Sequence, residues 1–117
     1  MNDKQYMIGE DFDRITSVSI DALYKLFSEN MVLEKIEIGP DGDGGIMCSF
    51  IFKDDGVYNA SGFCIGYGGE GPNGLYTAIR MFCPGEIEKD FLDTPISKLD
   101  SGKAWNWFPK KGFVSAE

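Results

Sequence analysis

The sequence predicts an α+β fold, a small antiparallel sheet (a three-strand meander with a candidate C-terminal strand) and two principal helices. Three observations predict it. Two segments repeat apolar residues at helical spacing: Ile20, Leu23, Tyr24 and Phe27 in one, Leu75, Ala78, Ile79 and Phe82 in the other. Between them lie three runs rich in β-branched and aromatic residues, at 32–38, 46–53 and 57–67, bounded by glycine- and aspartate-containing turns. The connections are short, which favours antiparallel neighbours.

Taken in order, residues 1–16 mix Tyr6, Met7, Ile8, Phe12 and Ile15 with Glu10, Asp11 and Asp13, and read as an irregular arm or a short leading element. Ser19 suits the N-cap of the first helix, Asp21 complements its dipole, and Asn30 suits its end. The run 32–38 is a strand carrying Glu34, Lys35 and Glu37, and the glycine-rich stretch 39–45 is a turn. In the second strand Ile46, Cys48, Phe50 and Phe52 share one face. Asp54-Asp55-Gly56 signals a hairpin. The third strand runs to Tyr67, with Gly62 inside it marking a bulge or a close backbone approach. The second helix is expected over 72–82, with Pro72 at its first position and Cys83-Pro84-Gly85 ending it. Thr94-Pro95 opens a short helix over Ile96 and Leu99. Trp105, Trp107 and Phe108 form a last strand or a packed aromatic tail, broken by Pro109-Lys110-Lys111-Gly112.

A chain of 117 residues with 43% hydrophobic content is expected to form one domain, 1–117, with a real core. No run of about 18 apolar residues is present and the first residues lack a signal-peptide layout, so a cytoplasmic protein is expected, in a bacterial or phage-infected cell. The net charge of -8, with only Arg14 and Arg80 as arginines, disfavours direct nucleic-acid binding. The same acidity serves solubility or the docking of an acidic face on a basic protein partner. Three widely spaced cysteines without a C-x-x-C pair do not make a disulfide framework. With no histidine, Ser-His-Asp and Cys-His catalysis and ordinary Cys/His zinc sites are excluded. Asp41-Gly42-Asp43-Gly44 opens like a calcium loop, but Gly45 and Phe52 fall where ligands are needed. No metal and no cofactor are expected.

The stretch 66–74 concentrates the candidate chemistry. Six of its nine residues are glycine or proline, a strand-like run enters it, and a helix leaves it. Such a loop either is a tight turn alone or presents the free N–H groups of a helix N-terminus to an anion. It lacks the Gly-Lys-Ser/Thr of a P-loop and the spacing of a dinucleotide fingerprint. Gly68, Gly69 and Gly71 permit close approach of a phosphate or carboxylate, and Asn73 lies in the first helical turn. Glu70 fills the anion role itself or meets a ribose hydroxyl or base edge. Tyr67 is a candidate stacking surface, and Arg80 a candidate phosphate clamp or a surface ion-pair partner. Trp105 and Trp107, two apart, share a face if extended and either cap the core or line a pocket or partner surface.

The motif Gly66-Tyr67-Gly68-Gly69-Glu70-Gly71-Pro72, followed by Leu75 and Ala78, resembles the GYGGxGP loop-helix of small uncharacterised bacterial and phage proteins. The likeness covers residues 65–82. It implies a strand-loop-helix unit and brings no catalytic assignment. The leading expectation is a non-enzymatic binding protein that holds or sequesters a small anionic, nucleotide-like ligand at Tyr67, Gly68, Gly69, Glu70, Gly71, Asn73, Arg80, Trp105 and Trp107. Phage anti-defence proteins that sequester nucleotide signals are similar in size and in lacking catalytic machinery. The alternative is an acidic inhibitor, of the toxin-immunity or anti-defence kind, docked on a basic partner. Either can act as a homo-oligomer. A carboxylate-based enzyme built on Glu70 needs a second acid, and none is visible.

Overall fold

A computed structural model describes residues 5–8 (backbone only), 20, 21, 23, 24, 32–40, 45–53, 56–60, 62–85 and 95–116. Its strands are β1 (Gln5–Ile8), β2 (Leu33–Pro40), β3 (Ile46–Phe52), β4 (Gly56–Ala60), β5 (Trp105–Phe108) and β6 (Gly112–Ser115). They form one sheet in the order β1-β4-β3-β2-β5-β6. The five strands β2–β6 pair antiparallel, and β1 joins β4 in parallel. The helix α1 (Glu70–Phe82) and a 3-10 turn (Ile96–Lys98) complete the described elements. The α+β class and the meander hold.

Of the first expected helix, Ile20, Asp21, Leu23 and Tyr24 are helical, while Ser19, Phe27 and Asn30 lie outside the described residues. Leu23 is fully buried, but Tyr24 faces solvent instead of extending the apolar stripe. The third strand is shorter than expected. It stops at Ala60, and Gly62 then turns the chain with φ 93°, a left-handed conformation that glycine accepts without strain. Residues 5–8 form a strand where an irregular arm is one expectation, and β6 is an element the sequence reading does not contain.

The core lies on one face of the sheet. Strict alternation in β3 sends Ile46, Cys48, Phe50 and Phe52 inward and leaves Met47, Ser49 and Ile51 half-buried on the outer face. Ile36, Ile38, Tyr58, Ala60 and Trp107 join from neighbouring strands, and Leu75, Ala78 and Ile79 from α1. Phe82 fastens the C-terminal end of α1 to the sheet, with its ring 4.9 Å from Phe52 and 6.3 Å from Phe50. Phe63 packs edge-on against Phe50 at 5.8 Å, which anchors the chain as it leaves β4. Residues 64–69, held between that anchor and α1, therefore form the loop at the end of the sheet where β3 begins.

Candidate functional site

The loop begins at Gly66, whose N–H donates to the Ile96 carbonyl at 3.0 Å. Its φ of 89° and its neighbours require glycine, because a Cβ there would lie 2.9 Å from the Leu99 carbonyl oxygen and 3.2 Å from Ser101 Cβ. Tyr67 follows with half its surface exposed. Its ring folds back over its own loop: a Cβ on Gly69 would overlap ring atom Cε2, and one on Gly71 would lie 3.1 Å from the hydroxyl. Gly71 is also pressed against Cys64, with that Cβ 2.8 Å from the Cys64 Cβ. Gly69 and Gly71 thus make room for the chain's own Tyr67 and Cys64. Gly68 differs, since a Cβ on it meets nothing within 4 Å.

Gly69 is the N-cap of α1, and no side chain caps the helix. The first intrahelical bond runs from the Asn73 N–H to the Gly69 carbonyl at 3.1 Å. The helix starts two residues before the expected position, so Pro72 is its third residue. That position still needs no N–H donor, since its amide would lie ahead of the first i→i-4 bond. Glu70 occupies the first turn, exposed, beside the positive end of the dipole.

A cleft of about 250 Å³ opens between the start of β3, at Gly45 and Ile46, and the loop, at Cys64, Tyr67, Glu70 and Gly71. Tyr67, Glu70 and Gly71 are brought together as expected, with Gly68 and Gly69 between them in the chain. Asn73 is exposed one turn along, its carbonyl accepting a bond from the Thr77 hydroxyl at 3.0 Å. Cys64, Gly45 and Ile46 are lining residues that the sequence reading leaves out. The Cys64 thiol donates to the Ile65 carbonyl at 3.5 Å.

Three expected site residues lie elsewhere. Arg80 sits in the last turn of α1, ten residues from Glu70 and so about 15 Å along the axis. There it donates to the Tyr76 hydroxyl at 3.4 Å and stacks over the Tyr76 ring, and it clamps nothing at the helix start. Trp107 is core, 1% exposed, because β5 pairs it with Ile36 on one side and Phe113 on the other. Trp105 shares that face, half-buried at the strand's start, and its indole N–H is held by the Asp100 carbonyl at 2.9 Å. It lines a different groove, on β2 and β5.

Among the described residues Cys48 is the strongly perturbed acid. Burial pushes its thiol well above the usual range, and the neighbouring Cys64 adds in the same direction. Among the described residues no three His, Cys, Asp or Glu side chains are grouped to hold a metal ion. No helix among them is long and apolar enough to cross a membrane.

These features define an α+β domain with a small cleft at an uncapped helix N-terminus. No protein-family model matches the chain, and neither does any curated protein or solved structure.

Proposed function

We propose that this chain is a non-catalytic binding protein that sequesters a small anionic, nucleotide-like ligand at the cleft beside the start of α1. The observation that carries the reading is the meeting of three groups in one cleft: an uncapped helix N-terminus, a half-exposed aromatic ring and a carboxylate. Backbone N–H groups at the first turn bind phosphate oxygens. Tyr67 supplies a face for a base, and Glu70 an acceptor for ribose hydroxyls. A volume of about 250 Å³ is below the ~300 Å³ of ordinary small-molecule pockets, so the cleft takes one end of a nucleotide and leaves the rest on the surface. The lack of histidine in the chain, with Glu70 as the acid among the described residues that line the cleft, supports holding the ligand without converting it.

Isothermal titration with AMP, ADP, ADP-ribose and a cyclic dinucleotide tests the reading. At least one should bind, and Gly68→Val should weaken it about tenfold or more while leaving the fold intact, because that side chain enters space the protein does not use. Unchanged binding in Gly68→Val, or no binding of any of the four to the parent protein, removes the loop as the site.

A further inference from the structure

The outer face of the sheet carries a feature the cleft does not explain. Strand register places Asn59 opposite Ser49, Ser49 opposite Glu37, and Glu37 opposite Asn106. These four polar residues form a row across β4, β3, β2 and β5, on the face opposite Ile36, Phe50 and Trp107. Neighbouring members are spaced by the strand separation of about 4.8 Å. A groove of about 440 Å³ runs over Glu37, Ser49 and Asn106, with Met47 and Pro40 as its apolar wall.

We propose that this groove is a second binding site and that it takes a neutral polyhydroxylated ligand, a sugar or polyol. The hydrogen-bond inventory sets the class. The Ser49 hydroxyl donates its one hydrogen to Asn59 Oδ1 at 2.6 Å, so it offers the groove only lone pairs. Glu37 gives Oε2 to the Lys35 ammonium at 2.9 Å and keeps a second carboxylate oxygen. The half-buried Asn106 carboxamide has no hydrogen-bond partner among the described residues and offers one acceptor and two donors. The row is rich in acceptors, so its ligand must be rich in donors. An anion meets an acidic chain of net charge -8 and a carboxylate in the groove. A cation is locally redundant, because Lys35 already balances Glu37. Hydroxyl groups donate and accept without charge, and Met47 and Pro40 suit the C–H face of a sugar ring. The volume lies within the ~300–1,000 Å³ of small-molecule pockets. The site is open, with the Glu37 side chain half exposed, so the affinity expected is about millimolar.

The test is a ¹⁵N NMR titration of the full chain with D-glucose, D-galactose, D-ribose and maltose, each to about 50 mM, well above a millimolar Kd. The Asn106 side-chain amide and the backbone amides of Met47, Ser49 and Asn106 should shift saturably with at least one sugar. Glu37→Gln, which keeps shape, and Asn106→Leu should each weaken that sugar about tenfold while the rest of the spectrum shows a folded protein. Four flat titrations overturn the proposal, as do shifts that persist unchanged in both variants. Glucosamine run beside glucose covers the remaining case. Shifts with the charged sugar alone, abolished at high salt, would make the groove a cation site and overturn the polyol assignment. None of these variants touches the α1 cleft, so this proposal and the nucleotide reading fail separately.

Discussion

Alanine substitutions through the glycine loop should differ sharply in cost, and the order follows from what each new methyl group meets. Gly66→Ala is the most damaging. Its φ of 89° is left-handed, which costs a side-chain-bearing residue about 1–2 kcal/mol. The methyl group would also lie 2.9 Å from the Leu99 carbonyl oxygen, a backbone atom that moves only with its segment and the Gly66–Ile96 hydrogen bond. Such overpacking adds about 1–3 kcal/mol, for a total of about 2–5. Gly71→Ala meets Cys64 Cβ at 2.8 Å and its backbone nitrogen at 3.2 Å, a similar overpacking. It also replaces glycine with the best helix former inside α1, which returns about 1 kcal/mol, so a net loss of about 1 kcal/mol is expected. Gly69→Ala strikes only the Tyr67 ring, the mobile end of a side chain that is already half exposed. The ring is displaced at a cost of about 1 kcal/mol in lost burial. Gly68→Ala meets nothing, and its effect should lie within about 0.5 kcal/mol of zero, on the stabilising side if the unfolded chain loses freedom.

Urea unfolding of the four variants, followed by tryptophan fluorescence, gives the ordering from midpoints at a common slope. Limited nitration of tyrosine should single out Gly69→Ala through a more reactive Tyr67. A Gly68→Ala variant that loses as much stability as Gly66→Ala would refute the loop geometry and, with it, the use of Gly68 to probe ligand approach.

Trp107→Ala should destabilise the protein by about 3–5 kcal/mol in urea, because the indole is wholly within the core. Trp105→Ala should cost clearly less, with its half-exposed ring and one bond to the Asp100 carbonyl, and equal costs would count against the β5 register. The Cys48 thiol should resist alkylation in the folded protein, whereas Cys64 at the cleft should react. Because folding raises the Cys48 pKa, the unfolded chain loses that proton first. The stability this thiol contributes is complete below about pH 8.5 and falls by about 1.4 kcal/mol per pH unit above it, until the folded thiol itself ionises. The stability gap between the parent protein and Cys48→Ala should therefore narrow by about 1.5 kcal/mol between pH 8.5 and 10, and a constant gap would contradict the burial.

The parts of the fold legible in the sequence are those set by local period. The inward face of β3 follows from Ile46, Cys48, Phe50 and Phe52 alone, and α1 from the spacing of Leu75, Ala78 and Ile79. The parts that escape depend on distant pairing. β1 is four residues long and finds its parallel partner about fifty residues away in β4, so nothing near Tyr6 announces it. β6 is hidden because Pro109-Lys110-Lys111-Gly112 reads as a break, whereas Lys110 takes a left-handed φ of 71° and turns the chain into a hairpin. For the site, Tyr67, Glu70 and Gly71 are legible because they are adjacent in the chain. Cys64 joins them by packing against Gly71, and Ile46 by the tertiary placement of the start of β3 beside the loop. The position of Arg80 was available in principle, because ten residues of helix always separate its ends by about 15 Å. The burial of Trp107 was not, because it depends on Ile36 and Phe113 as neighbours.

Salt dependence separates the nucleotide reading from the acidic-inhibitor alternative, and the magnitudes fix its sign. The start of α1 offers an anion about half a positive charge. Glu70 in the same turn contributes a full negative charge, and the chain as a whole carries -8. The field at the cleft is therefore unfavourable to a phosphate, which must be held by direct N–H bonds at short range. One unit charge 10 Å from another in water interacts by about 0.4 kcal/mol, about a factor of two in affinity for each uncompensated pair. Screening lengths fall from about 10 Å at 0.1 M to about 3 Å at 1 M, so added salt removes the repulsion and leaves the short bonds. With competition by chloride for the first-turn N–H groups corrected from its own titration, affinity for a nucleotide at this cleft should hold or rise severalfold as sodium chloride goes from about 0.05 to 0.5 M. An acidic face docked on a basic protein would lose affinity steeply over the same range. A nucleotide that binds well at low salt and is lost at high salt would mean that it is held by lysines elsewhere on the molecule, and the α1 cleft would be excluded as its site.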